Sequence, residues 1–352
     1  MTKPALVIVT THFGYHFSGG STATCEIFDK VQQHFDSVTV IGTQCGDHPF
    51  ANFTFLPYRY PWQALALIRQ HSTDNTVFYG DFYNSWMLAL LKARYCFTYH
   101  DNWPEQKTLS IKDRIKSWWI WPLYRYIFSQ AQAVFTVSEF KYKAIGHLNP
   151  NTQLVRNGFA HQRQPVRDER GDAPEKAGIV MSGNIDPRKY QQAIALFTVL
   201  NRSQTFTDKK VSIDIYGRPN DAALARQLDS FPFVTLKGYH NRVPYHRYAV
   251  MLHTSVMENL SLSWCEALSA GATVVSFDVG GANEVIDVSL GHHLIKPFDI
   301  DPMADALVQT LGSPKPLLNC SQQLVDFDWS LAASIYLDTL LKTLPGSLQH
   351  EH

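Results

Sequence analysis

A repeated alternation of short apolar runs with longer stretches of helical period constrains this chain more than any other feature, because β-α units around a parallel sheet are what satisfy it. The first half offers strands at Leu6 to Val9, Val38 to Ile41, Val77 to Tyr79, Tyr95 to Thr98 and Ala133 to Val137, with helices over Thr22 to His34, Ser85 to Lys92 and Ile111 to Ser129. Between His161 and Lys176 the segment HQRQPVRDERGDAPEK carries two prolines, many charges and no apolar period, the mark of a solvated linker. The pattern then restarts, with strands at Gly178 to Met181, Val211 to Ile215, Val234 to Leu236, Val250 to Leu252 and Thr273 to Phe277. After Phe327, the residues Trp329, Leu331, Ile335, Tyr336, Leu340 and Leu341 recur at roughly helical spacing and predict a closing helix. The expected fold class is α/β. An N-terminal doubly wound domain spans 1–160 and a linker spans 161–176; a second doubly wound domain follows over 177–326, then a closing helix and tail over 327–352.

Composition narrows the function classes. With 352 residues, 45% hydrophobic and 18% charged, the chain has material for two sizeable cores and is neither a small disulfide-stapled module nor compositionally disordered. Lysines plus arginines equal aspartates plus glutamates at 31 each, so no overall field draws it to nucleic acid, and no nucleic-acid partner is expected. The five cysteines, Cys25, Cys45, Cys96, Cys265 and Cys320, are odd in number, widely spaced and free of C-x-x-C, against both a disulfide framework and a zinc site. They are expected to be reduced core residues of a cytoplasmic protein. The apolar run Ala5 to Val9 is too short for a signal segment, and no window approaches the roughly 18 consecutive apolar residues of a spanning helix.

The most informative stretch runs from Thr254 to Gly271, where Glu258 precedes a helix starting near Ser261 and Glu266 lies within it. A helix opening at a strand end is a ready anion site, and a rise of about 1.5 Å per residue puts Glu266 about 7 Å along it, comparable to the distance from a phosphate to a ribose. An ordinary surface helix with two glutamates has the same spacing, so the pair needs company. Gly183-Asn-Ile-Asp-Pro-Arg188-Lys189 follows the first strand of the second domain and offers two cations to a phosphate. Ser18-Gly19-Gly20-Ser21-Thr22 lies between the first strand and its helix, where absent side chains let backbone approach a ligand. No G-x-G-x-x-G and no G-x-x-x-x-G-K-[ST] occurs.

With these residues in view, the chain resembles the retaining glycosyltransferases of the GT-B fold, family four, along nearly its whole length. The resemblance runs through Gly19-Gly20, Phe97 to Asp101, Val137-Ser138-Glu139, Arg156-Asn157-Gly158-Phe159 and Gly183 to Lys189. It continues through Tyr216-Gly217, Gly238-Tyr239, the Glu258-x7-Glu266 element and Gly280-Gly281-Ala-Asn-Glu284. It implies two Rossmann-like domains facing a cleft and a nucleotide-diphosphate-sugar donor, most often a UDP- or GDP-sugar. Lys189 would bind the pyrophosphate, Asn259, Leu260, Ser261 and Leu262 would bind phosphate or sugar through backbone amides, and Glu266 would hold the ribose. Glu258 would contact the donor sugar, with His100 approaching it from the first domain and Gly19-Gly20 lying against the diphosphate. The base would lie near Gly217 and Gly238-Tyr239. The implied acceptor is a carbohydrate or lipid-linked hydroxyl, in surface polysaccharide, lipopolysaccharide or glycolipid synthesis.

One departure stands out, since Asn184 occupies the place where the family usually has arginine, and a guanidinium clamp is lost there. Either Arg188 supplies the second charge, the reading favoured here, or donor binding is weaker, or the activity has changed. Asn184 leaves a non-catalytic nucleotide-sugar-binding protein as one alternative, and an epimerase or phosphorylase of the same fold is another, against which the run of family-four motifs along both halves argues. Asp299-Ile-Asp301 and Asp326-Phe-Asp328 read as turn and helix-start residues, no metal-ligand spacing occurs among the histidines, and neither a metal nor another cofactor is expected. His292-His293, His350 and His352 are expected in solvent. The segment 111–128 mixes Lys112, Arg114, Lys116 and Arg125 with three tryptophans. It reads as a helix packed on its sheet with solvated charges, with peripheral membrane contact as the second reading.

Overall fold

The computed structural model describes residues 3–15, 17–51, 53–159, 178–203, 211–312 and 324–345. The linker expected over 161–176, Cys320, His350 and His352 lie outside the described residues. Two compact units emerge, Met1–Gly158 together with Asp326–His352, and Phe159–Val325.

The first unit is built on seven parallel strands: β1 (Ala5–Val9), β2 (Ser37–Gly42), β3 (Thr54–Pro57), β4 (Thr76–Asp81), β5 (Tyr95–Tyr99), β6 (Ala133–Thr136) and β7 (Thr152–Leu154). They lie in the order β3-β2-β1-β4-β5-β6-β7. Strand β1 shows why such strands read as unbroken apolar runs. Leu6 and Ile8 enter one core with Ile27 and Phe28 of α1 (Gly19–Val31), while Val7 and Val9 enter the opposite core. That second core is covered by α2 (Pro61–Gln70), α3 (Trp86–Leu90) and α4 (Ile111–Gln130). A strand covered on both faces has no polar side to alternate with. A short helix, α5 (Glu139–Ile145), capped by Ser138, follows β6. Helix α1 starts at Gly19, ahead of the expected Thr22. Ser18 Oγ accepts from the Ser21 N–H at 3.1 Å and Ser21 Oγ accepts from the Ser18 N–H at 2.9 Å, a capping box that draws both glycines into the first turn.

The second unit holds six parallel strands: β8 (Ile179–Ser182), β9 (Ile213–Tyr216), β10 (Val234–Gly238), β11 (Val250–His253), β12 (Thr273–Phe277) and β13 (His293–Ile295). Their order is β10-β9-β8-β11-β12-β13. Among the described residues its helices are α6 (Pro187–Arg202), α7 (Ala222–Asp229), α8 (Leu262–Ser269) and α9 (Ile300–Gly312). In both units the order reverses beside the first strand, between β1 and β4 and between β8 and β11, which opens a crevice at the carboxyl ends of those strands.

The closing helix, α10 (Trp329–Leu341), packs in the first unit. Its buried side is Ala332, Ala333, Tyr336 and Leu340, while Leu331, expected on the apolar face, is 45% exposed. The Tyr336 ring stacks on Phe135 at 4.0 Å and its hydroxyl lies 2.8 Å from Thr98 Oγ1. Asp328 caps α10 and Asp301 sits in the first turn of α9, the helix-start places expected of them.

Three expectations are corrected. His292 is not in solvent: it is 2% exposed, its Nδ1 accepts the Val274 N–H at 3.1 Å, and burial pulls its pKa down to about 4. His293 is half-buried in β13. Cys25, Cys96 and Cys265 are buried free thiols, but Cys45 is exposed because it sits on a two-residue edge strand. No described helix is long and apolar enough to cross a membrane.

The Arg156 to Gly158 segment anchors α10. The Arg156 guanidinium lies 5.1 Å from the Phe327 ring centroid, and a Cβ on Gly158 would collide with the backbone nitrogen and ring of Trp329. Gly158→Ala is therefore expected to destabilise by about 1–3 kcal/mol through overpacking. Gly146→Ala, whose Cβ would meet the Tyr142 ring only at 3.8 Å, should leave the melting temperature close to wild type. Thermal unfolding followed by circular dichroism compares the two.

Candidate active site

The crevice of the second unit forms where the loops after β8 and β11 meet. Asp186 caps α6 by accepting the Lys189 N–H, Pro187 takes the first helical position, and Arg188 and Lys189 follow. No acidic residue occupies the first turn of α6. Two cations thus stand at the positive end of a helix dipole, an arrangement that opposes the dipole and concentrates positive potential. Gly183, at φ 128°, leaves space that the Lys189 side chain fills, since a Cβ there would lie 2.8 Å from Nζ.

The loop after β11 folds over this turn. Thr254 Oγ1 donates to the Lys189 carbonyl at 2.7 Å, the Val256 N–H donates to the Arg188 carbonyl at 3.1 Å, and Arg188 Nη1 donates to the Met257 carbonyl at 3.2 Å. Glu258 is thereby brought to both cations, its Oε1 3.5 Å from Lys189 Nζ and its Oε2 3.8 Å from Arg188 Nη1. It is 9% exposed. Burial alone would raise its pKa, but Lys189, Arg188 and His253 hold it well below the usual carboxylate range. Oε1 makes no hydrogen bond among the described residues. A small cavity beside it is lined by Ser182, Lys189, His253 and Thr254.

His253, which the sequence reading did not single out, stands in this cluster. Its Nε2 lies 3.6 Å from Glu258 Oε1, neither ring nitrogen has a hydrogen-bond partner among the described residues, and its ring packs edge-on to Trp264 at 4.8 Å. Burial lowers its pKa, with Glu258 acting against that. A histidine ending an apolar strand run carried no signal, because only the fold brings it to residue 258.

Past Glu258 the chain enters α8. Ser261 is its N-cap residue but makes no side-chain cap bond, its hydroxyl lying 2.7 Å from Ser263 Oγ instead. Glycines keep this turn in place: at Gly280, φ 58°, a Cβ would strike the Glu258 carbonyl, and the Gly281 N–H donates to the Asn259 carbonyl at 2.8 Å. One helical turn on, burial pushes the Glu266 carboxyl up to about 7, with the Tyr245 hydroxyl pulling the other way. Gly217 approaches the Gly183 carbonyl too closely to carry a side chain. Asn184 Oδ1 accepts the Arg218 N–H at 3.3 Å, and the Arg218 guanidinium lies 5.0 Å from the ring centroid of Tyr239, which is 38% exposed. Arg218 was not singled out in the sequence.

In the first unit, two separate motifs meet. A Cβ on Gly20 would lie 2.8 Å from the ring of His100, so the glycine makes room for that histidine, while Gly19 borders open space. His100 Nε2 is buried without a hydrogen-bond partner among the described residues, and burial brings its pKa down to about 4. Asp81, at the end of β4 and unnoticed in the sequence, accepts from Thr24 Oγ1 at 2.8 Å and is pushed up to about 7 by burial. Among the described residues no three His, Cys, Asp or Glu side chains are grouped to hold a metal ion.

Two family models match the chain, Glycosyltransferase Family 4 over residues 7–163 and Glycosyl transferases group 1 over residues 176–313. No curated protein matches it by sequence. Among solved structures it is similar to HepE of Anabaena in complex with UDP and glucose, with TM-score 0.75, 16% identity, and 96% of this chain and 100% of HepE covered. WaaG, a glycosyltransferase involved in lipopolysaccharide biosynthesis, gives TM-score 0.68 at 14% identity, over 97% of this chain and 100% of WaaG. TarM of S. aureus, solved with fondaparinux, alpha-GlcNAc-glycerol and UDP, gives 0.62 at 17% identity over 78% of this chain, which spans 58% of the TarM chain. At such identities the structural likeness is one of fold. The family matches, one in each unit, add the activity class, and the chain is a glycosyltransferase with the two Rossmann-like domains of the GT-B fold.

Proposed function

We propose that this glycosyltransferase retains anomeric configuration and moves a sugar from a UDP- or GDP-sugar to a hydroxyl of a carbohydrate or lipid-linked acceptor, in surface polysaccharide, lipopolysaccharide or glycolipid synthesis. The observation that carries this reading is Glu258, a buried carboxylate with an oxygen that has no hydrogen bond among the described residues, beside two cations at a helix N-terminus. Buried polar atoms are rarely left so, and a donor-sugar hydroxyl is a fitting partner. Lys189 and Arg188 hold the diphosphate with the amides from Asn259 to Leu262, Glu266 accepts from ribose hydroxyls, and Gly217 and Tyr239 border the base. In the first unit, neutral His100 beside Gly20 is the group assigned to the donor sugar.

The chemistry follows from charge. As the glycosidic bond breaks, the leaving diphosphate gains charge that Lys189, Arg188 and the α8 amides already face, and such preorganised donors lower a barrier by a few kcal/mol each. Glu258 stays ionised under its cations, so it positions rather than protonates, unlike the acid of a glycosidase pair. The leaving phosphate itself accepts the proton of the acceptor hydroxyl. Arg188 flanks the same carboxylate as Lys189, which supports its supplying the charge absent at Asn184.

Thermal-shift titration with UDP, GDP and their sugar conjugates, followed by release of the free diphosphate, tests the reading. Binding without any transfer or hydrolysis would instead indicate a non-catalytic nucleotide-sugar binder. Lys189→Ala is expected to weaken diphosphate binding by about tenfold or more. Glu258→Gln should keep nucleotide binding within a few-fold but lower turnover on the order of 100-fold. Wild-type rates in both variants would overturn the assignment. A pH dependence follows from Glu266: below about pH 7 its acid form dominates in the free protein, and ribose must displace that proton. Nucleoside affinity should therefore rise about tenfold between roughly pH 6 and pH 8, and Glu266→Gln should flatten that rise in calorimetric titrations.

A further inference from the structure

Helix α4 buries only one side. Ser117, Ile120, Tyr124, Ile127 and Phe128 face the first unit's interior. At 3.6 residues per turn, Ile111, Ile115, Trp118 and Trp119 come to the opposite side, where they are 76%, 60%, 79% and 53% exposed. The sequence reading of a packed helix with merely solvated charges is therefore incomplete, because two tryptophans and two isoleucines stand in solvent with the charges. Soluble surfaces rarely gather side chains of this size into one stripe without a partner.

The charges around the stripe are arranged rather than scattered. The same helical count puts Arg114 and Arg125 along one edge and Lys112 and Lys116 along the other, and all four are exposed. The one acid of α4, Asp113, falls on the inward side, where it takes hydrogen bonds from Ser110 Oγ at 2.6 Å and Gln106 Nε2 at 3.2 Å. The neighbouring acid Glu105 is paired with buried Lys141. In a chain with equal numbers of acids and bases, the residues of α4 that border this stripe carry positive charge only.

That pattern selects its occupant. The four side chains stand more than half exposed along one side of a single helix. A second copy docked by a two-fold axis would set like cations against each other. Anionic lipid meets every feature, because phosphates accept the flanking cations while indole rings, apolar with one N–H, settle at the headgroup boundary. We propose that the outward side of α4 docks this glycosyltransferase onto an anionic lipid bilayer, with Ile111, Ile115, Trp118 and Trp119 among the acyl chains and Lys112, Arg114, Lys116 and Arg125 on the phosphates. This goes beyond the transfer reaction and stands whichever sugar is moved.

Cosedimentation of the full chain with phosphatidylcholine vesicles, and with vesicles of equal parts phosphatidylcholine and phosphatidylglycerol, tests it. Binding is expected to the mixed vesicles only and to fall as salt is added. Brominated acyl chains should quench tryptophan emission in the bound protein. The double variant Trp118→Ser with Trp119→Ser changes exposed positions only, should melt as wild type does, and should lose binding on the order of tenfold together with most of the quenching. Lys112→Glu with Lys116→Glu should remove most of the salt-sensitive part. Absence of binding to mixed vesicles at low salt, or binding and quenching unchanged in the tryptophan variant, would overturn the proposal. Self-association that the tryptophan variant abolishes would overturn it too, by assigning the stripe to a second copy.

Discussion

The second unit's crevice depends on one electrostatic arrangement, the ion cluster of Glu258 with Lys189 and Arg188. Two cations in the first turn of α6 oppose the helix dipole, and a carboxylate taken from water costs several kcal/mol on its own. The Asp186 cap carboxylate, 4.0 Å from Arg188 Nε, offsets part of the first cost, and Glu258 and the two cations offset each other. The loop after β11 must lie across α6 to bring them together, which it does through Thr254 and Val256 bonding the carbonyls of Lys189 and Arg188. With that loop fixed, the start of α8 is fixed, and so is Glu266 one turn along it. The cluster thus places two cations, and a carboxylate oxygen with no hydrogen bond among the described residues, side by side at the mouth of the crevice.

The same dependence explains why the cluster is held by charge more than by hydrogen bonds. Its separations of 3.5–3.8 Å are ion-pair distances, longer than the charge-assisted hydrogen bonds such groups form when nothing else competes for them. His253 belongs to this balance. It is buried at 3.6 Å from the same oxygen and is held largely neutral, so it adds polarity at the carboxylate without a third fixed charge.

Strands buried on both faces were legible in the sequence because they read as apolar runs, as β1, β4 and β12 do. Edge strands were legible unevenly: β10 was found through Val234 and Leu236 although it is largely exposed, whereas β3, β7 and β13, of only three or four residues, carry no such signal. The two glutamates and two cations could be picked out because each sits at a recognisable strand-to-helix passage. His253, Asp81 and Arg218 carried no local signal, because their meaning comes from neighbours distant in the chain. His292 misled for the same reason: its partner, the Val274 N–H, lies 18 residues away on an adjacent strand.

The glycines that drew attention in the sequence separate into scaffold and site once their neighbours are known. Gly158 and Gly280 are places where two stretches of backbone approach too closely for any side chain, so they report how the fold closes, whereas Gly217 packs as closely on the Gly183 carbonyl at the edge of the crevice. Asn184 is the reverse case. Its carbonyl oxygen accepts the Arg218 N–H and ties the loop after β8 to the loop after β9. An arginine there has donors only and could not make that bond. The Asn184 side chain thus adds to a tie that the backbone also makes, the Ile185 N–H donating to the Arg218 carbonyl at 2.8 Å. Arg188 and Lys189 then stand at ion-pair distance from Glu258, while the Arg218 guanidinium lies over the Tyr239 ring.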